Sequence, residues 1–125
     1  MMLQGKAAVV TGGSRGIGRA ICLKLAEEGA SVAFLYAGNT ENAEKTLAEL
    51  KTFGVKAACY RCDVSDYAAV SAVFGEIVKE FGTVDILVNN AGITRDMLML
   101  SMKEDEFDRV VNVNLKGAFN TIKQV

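Results

Sequence analysis

Four runs of apolar and β-branched residues punctuate the chain: KAAVVT at 6–11, SVAFLY at 31–36, KAACYR at 56–61 and VDILVN at 84–89. Each is short and apolar almost throughout, the pattern of strands covered on both faces. Between them the apolar positions switch to helical spacing. Ile17, Ile21 and Leu25 form one stripe, with Gly29 as its stop. Ala43, Leu47 and Leu50 form a second, with Thr40 as N-cap and Gly54 as the stop. Val70, Val73, Phe74, Ile77 and Phe81 form the third, ended by Gly82. Residues 110–125 read as an amphipathic helix with Val111, Leu115, Ala118 and Ile122 inward. Asn114 falls at the border of that stripe, half-buried and in need of partners, whereas Asn112 joins Lys116, Asn120 and Lys123 on the polar side.

The near-even spacing leaves one helix between successive strands, as parallel βαβ units require. Such spacing also suits a solenoid, but the segments share no side-chain signature beyond the alternation itself. The expected fold is therefore α/β, a doubly wound, Rossmann-like parallel sheet. Right-handed crossovers give the strand order 3-2-1-4. The order reverses between strands 1 and 4, and the crevice at their carboxyl ends is where sheets of this kind take ligands.

At that crevice the chain reads TGGSRGIGRA. Gly12, Gly16 and Gly18, in the pattern T-G-x-x-x-G-x-G, open the first helix directly after the first strand. Glycines here allow a tight turn, a close backbone approach to a pyrophosphate and close helix–strand packing, while the helix N-terminus offers unpaired N–H groups. A βα turn without a ligand is the plainer alternative; the position between first strand and first helix favours a dinucleotide. NAD-selective sites usually carry an acid at the end of strand 2 for the ribose 2′-hydroxyl. Here that region is Tyr36-Ala37-Gly38-Asn39, and Arg15 in the glycine loop stands ready for a 2′-phosphate. Both point to NADP(H), although a solvated loop arginine is the other reading of Arg15. Asp63 after strand 3, and Asn89-Asn90-Ala91-Gly92 after strand 4, complete the crevice.

Composition narrows the rest. A length of 125 residues suits one domain, half the residues are apolar, and the net charge is −1. The 14 basic residues form no run, which disfavours nucleic acid and anionic membrane. No apolar stretch reaches signal-peptide or membrane-spanning length, so a cytoplasmic location is expected. Cys22, Cys59 and Cys62 are an odd count, and Cys59-Tyr60-Arg61-Cys62 has the spacing of a redox or zinc pair. On a strand running into a loop, however, positions three apart face opposite ways, and the chain has no histidine. Packed cysteines and no metal are the expectation.

In these motifs, Thr11 through Gly18, Asp63-Val64, Asn89-Asn90-Ala91-Gly92 and Asn114 within NVNLKGAF, the chain resembles the short-chain dehydrogenase/reductase family. GKAAVVTGGSRGIGRAI and NNAGITRDMLML are most similar to the branch that reduces the 3-keto group of acyl thioesters carried on acyl carrier protein, in fatty acid biosynthesis. The resemblance implies that Gly12, Gly13, Ser14, Arg15, Gly16, Ile17 and Gly18 hold the cofactor phosphates. It implies that Asp63 and Val64 border the adenine, and that Asn90, Ala91 and Gly92 line the ribose side. Asn114 would be the catalytic asparagine that positions a water in the proton relay. The family also needs a serine and a Tyr-x-x-x-Lys pair. Tyr36, Tyr60 and Tyr67 are followed four residues on by Thr40, Val64 and Ser71, so these 125 residues lack that pair. The expectation is an amino-terminal, cofactor-binding part of a longer reductase, inactive alone and self-associating. The alternative is a non-catalytic, self-associating fragment that binds cofactor poorly.

Overall fold

The computed structural model describes residues 2–91 and 103–125. Strands β1 (Ala7–Thr11), β2 (Ser31–Tyr36), β3 (Ala57–Arg61) and β4 (Ile86–Asn89) form one parallel sheet in the order β3-β2-β1-β4, as the right-handed crossover rule requires. Helices α1 (Gly16–Glu27), α2 (Thr40–Lys51) and α3 (Tyr67–Phe81) connect successive strands. The terminal helical run comprises α4 (Glu104–Val111), a π-helical segment (Asn112–Lys116) and α5 (Gly117–Ile122).

Strand β1 is buried throughout, paired on both sides, with Val9 level with Ala33 and Leu87. Side-chain alternation divides the core. Val9, Ala33 and Leu35 meet α3 through Val70, Phe74 and Ile77, and the terminal helix through Val113. Val10, Val32 and Phe34 meet α1 and α2 through Cys22, Ala26, Ala43 and Leu50. Helices therefore cover both faces, which explains why the strands carry no polar alternation.

Three sequence readings need correction. Asn39, not Thr40, caps α2: its extended backbone precedes the helix and its Oδ1 accepts the Asn42 N–H at 3.0 Å. The inward face of α1 is Gly18, Cys22 and Ala26, one position on from the expected stripe, and Ile17 is 74% exposed. The terminal run departs most. Val113, Gly117, Asn120 and Thr121 are buried, while Leu115 and Ile122, placed inward by the helical wheel, are exposed, and so is Asn114.

One cause explains the second and third corrections. Where a helix must approach the sheet closely, its small residues go inward. A Cβ on Gly117 would lie 2.6 Å from Val64 Cγ2, and one on Gly18 would lie 2.0 Å from the Gly12 carbonyl oxygen. The π segment adds a further rotation, because its wider turn shifts every later residue around the axis relative to an α-helical wheel. Polar partners then hold the terminal run in place. Asn120 Nδ2 donates to the Val64 carbonyl at 2.9 Å, and the Thr121 hydroxyl donates to Asn89 Oδ1 at 2.5 Å.

Cys59 and Cys62 pack into opposite cores, as their strand spacing implies. Burial pushes the Cys22 thiol from 9.0 up to about 12, and burial, with Asp63 and Asp66 nearby, pushes Cys62 up to about 11. A raised thiol pKa favours the neutral form in the folded state, so its stability contribution is complete below pH 9 and is lost as pH rises through the folded values. Folding free energy should fall above pH 9 by about 1.4 kcal/mol per pH unit for each of these two thiols. Urea melts at pH 8 and pH 10.5 measure this, and Cys22→Ala should remove part of the slope.

Candidate functional site

Four loops converge at the carboxyl edge of the sheet, around a cleft of about 460 Å³. The β1–α1 loop enters first. Gly12 N–H and Gly13 N–H both donate to the Leu35 carbonyl, at 2.8 and 3.3 Å, which pins the loop's start to the end of β2. Gly16 has φ +59° with open space around it, so glycine is there for conformation. Gly18 is there for proximity, since a Cβ would stand 2.0 Å from the Gly12 carbonyl oxygen and 2.5 Å from Asn90 Nδ2. Helix α1 begins at Gly16 with Arg15 as its N-cap, and no side chain caps that end. Its first N–H groups and the positive end of its dipole thus meet the cleft wall formed by Ser14, Arg15 and Gly16.

The β4 end is locked to the same loop. Thr11 Oγ1 accepts the N–H groups of Asn90 and Ala91, at 3.0 and 2.9 Å, and Asn90 Nδ2 donates to the Gly12 carbonyl at 3.1 Å. The Thr11 side chain therefore fixes the asparagine turn to β1, and Asn90 fixes it to the glycine loop.

The β3 end supplies charge. Asp63 Oδ1 accepts the Ser65 hydroxyl at 2.6 Å and the Ser65 N–H at 3.0 Å, while Arg109 Nη1 lies 3.5 Å from Asp63 Oδ2. The Ser65 hydroxyl has the largest effect and holds the Asp63 carboxyl below its usual value; burial opposes it, and the Ser65 amide and Arg109 lower it further. Asp63 is an anion at neutral pH, partly neutralised by an arginine from α4. The remaining wall is Ala37, Gly38 and Asn39, with no carboxylate at the end of β2.

Of the residues singled out in the sequence, Gly12, Ser14, Arg15, Gly16, Asp63, Val64, Asn90 and Ala91 line this cleft. Gly13 and Gly18 support it from beneath, and Ile17 faces solvent. Gly92 lies outside the described residues. Asn114 sits in the π segment and lines a separate space of about 40 Å³ with Thr11, Asn89, Ala91, Gly117 and Ala118. A π turn inside an α-helix is common at functional positions. Thr11 stood in the glycine motif without a role of its own, and Arg109 and Val113 were missed. Thr11 had a legible signal, a hydroxyl at the last position of a buried strand; Arg109 had none, because its role depends on the terminal helix bringing it beside Asp63.

A glycine turn feeding a helix N-terminus at the switch point of a 3-2-1-4 parallel sheet defines a Rossmann-type nucleotide-binding fold. The family described as short chain dehydrogenase matches residues 6–125, and the chain belongs to it. The 3-oxoacyl-(acyl-carrier-protein) reductase FabG of Staphylococcus aureus (strain N315) is 53% identical over 119 residues, covering 95% of this chain and 48% of that protein. A short chain dehydrogenase from Burkholderia cenocepacia J2315, solved in complex with NADP, superposes with TM-score 0.96 at 40% identity, over 99% of this chain and 51% of that one. An NAD+-bound xylitol dehydrogenase superposes with TM-score 0.95 at 39% identity, over 100% of this chain and 48% of its own. The chain thus resembles the amino-terminal part of FabG and spans about half the length of the curated relatives it matches. Both dinucleotides occur among its neighbours, so the choice between them rests on this chain's own residues.

Proposed function

We propose that the cleft binds NADP(H) and that residues 1–125 are the cofactor-binding part of a 3-oxoacyl-(acyl-carrier-protein) reductase of fatty acid biosynthesis. The observation that carries the cofactor reading is the presence of Arg15 and of a β2 end that bears no acid in the lining of one cleft. The N–H groups at the start of α1 receive the pyrophosphate, with Gly12, Ser14 and Gly16 letting it approach. Arg15 pairs with the 2′-phosphate by charge-assisted hydrogen bonds. Asp63 and Val64 border the adenine, and Asn90 with Ala91 and Gly92 takes the ribose side.

When bound, the nicotinamide would supply or accept the hydride. Asn114, beside the small polar space, holds a water for the proton relay to the 3-oxo group of the acyl thioester. The Tyr-x-x-x-Lys pair, whose tyrosine would donate the proton with its pKa lowered by the lysine, is not found in these 125 residues, so this chain alone is expected to bind cofactor without turnover. Titration following NADPH fluorescence tests the reading. Saturable binding with NADPH tighter than NADH is the expected result, and binding of neither cofactor would overturn it.

We further propose a homo-oligomer. Leu115, Phe119 and Ile122, spaced i, i+4 and i+7 across the terminal run, are 70%, 59% and 59% exposed on one outward face. A second copy covering that stripe removes it from water. Phe119→Glu should shift the chain toward monomer in light scattering with little change in unfolding midpoint. Among the described residues no helix is long and apolar enough to cross a membrane.

A further inference from the structure

Thr46 is a polar residue on the inward face of α2, in line with Ala43 and Leu50, and it is 1% exposed. Its hydroxyl donates to the carbonyl oxygen of Ser14 at 2.8 Å, linking α2 to the glycine loop across 32 residues of sequence. One turn on, Glu49 pairs with Arg19 in the first turns of α1. Helix α2 therefore grips the loop and its helix at two successive points on one face.

The same helix starts at another part of the cleft lining. Its N-cap Asn39 lines the cleft together with Ser14 and Arg15, and the cap is held by the hydrogen bond that Asn39 Oδ1 accepts from the Asn42 N–H. Helix α2 thus ties the Ser14–Arg15 part of the lining, through Thr46, to the Asn39 part, beside the bonds that Gly12 and Gly13 make to the Leu35 carbonyl. The peptide joining Ser14 to Arg15 is trans, so its C=O and N–H point in opposite directions. Anchoring the Ser14 carbonyl on α2 turns the Arg15 N–H away from α2 and fixes the orientation from which the Arg15 side chain departs.

We propose that Thr46 is a positioning residue for cofactor selection: by holding the Ser14 carbonyl it sets the place of Arg15 and so favours a dinucleotide with a 2′-phosphate. The inference rests on the NADP(H) reading above. Thr46 touches no cofactor atom; it acts through the loop.

Thr46→Val removes the hydroxyl and keeps the shape, Thr46→Ala removes it without bulk should the first variant misfold, and Thr46→Ser retains it. The valine or alanine variant is expected to weaken NADPH binding about tenfold, the size of one lost hydrogen bond in a shielded place, and to leave NADH binding largely unchanged. Amide exchange of residues 14–16, followed by mass spectrometry without cofactor, should quicken in the same variants. Thr46→Ser should restore both properties. An unaltered NADPH-to-NADH ratio with unaltered exchange in a folded hydroxyl-free variant overturns the proposal. A wild-type chain that binds neither dinucleotide overturns the NADP(H) reading and with it selection by Thr46, while the exchange comparison still decides whether Thr46 holds the loop.

Discussion

Gly18→Ala is expected to abolish dinucleotide binding and to cost about 3 kcal/mol or more of folding stability. The new methyl carbon would stand 2.0 Å from the Gly12 carbonyl oxygen and 2.5 Å from Asn90 Nδ2. Neither neighbour can yield alone. Gly12 is tied to the Leu35 carbonyl, and the asparagine turn is held by the Thr11 hydroxyl. Relief therefore means moving α1 away from the loop, which dismantles the mouth of the cleft. Gly75→Ala provides the contrast: it sits within α3 with nothing near its missing Cβ, and alanine there should stabilise by about 0.5–1 kcal/mol. Urea melts of the two variants, with NADPH titration of each, separate a local clash from the general effect of replacing glycine by alanine. A Gly18→Ala protein that melts and binds like the wild type would contradict the close packing described here.

Arg15→Ala is expected to weaken NADPH binding by about tenfold or more while changing NADH binding little. Its guanidinium is exposed, so solvent moderates the loss, and the phosphate it addresses is the only group that distinguishes the two cofactors. Ala37→Asp in the same background places a carboxylate at the end of β2, where a free ribose hydroxyl would be held and a phosphate repelled. The pair should reverse the preference from NADPH to NADH. Fluorescence titration with both cofactors measures it, and a preference unmoved by either change would remove Arg15 from the selecting role.

The sheet was readable because a strand covered on both faces leaves a plain mark, a short apolar run bounded by turn residues. All four strands, their order and the location of the crevice followed from that mark and from chain handedness. Helical faces were less readable wherever close approach decided the packing. On α3, where Val70, Phe74 and Ile77 fill space, the apolar stripe is the buried face. On α1 and the terminal run, Gly18 and Gly117 are buried, and the large residues Ile17 and Leu115 turn outward. A hydrophobic wheel counts apolar surface and has no term for how near two backbones come.

The site divides along a similar line. Residues that act through backbone geometry, such as Gly12, Gly16 and the Asn90-Ala91 turn, stand at fixed offsets from a strand end and are legible from spacing. Thr46, Asn120 and Arg109 act across distances in sequence of 32, 56 and 46 residues, on Ser14, Val64 and Asp63 respectively. Arg109 left no mark in the sequence, Thr46 stood beside the expected stripe of Ala43, Leu47 and Leu50, and Asn120 was placed on the polar side. Buried polar groups of that kind are worth pursuing, since each must have a partner and the partner is often remote.

Cys59 and Cys62 occupy opposite sides of one short strand and its end, so the sheet itself separates them. They cannot be joined without tearing β3 out of place, and each senses a different helical layer. Labelling Cys59 reports when α2 lifts, labelling Cys62 reports when α3 or the terminal helix does, and the order in which the two become reactive tells which side of the molecule opens first.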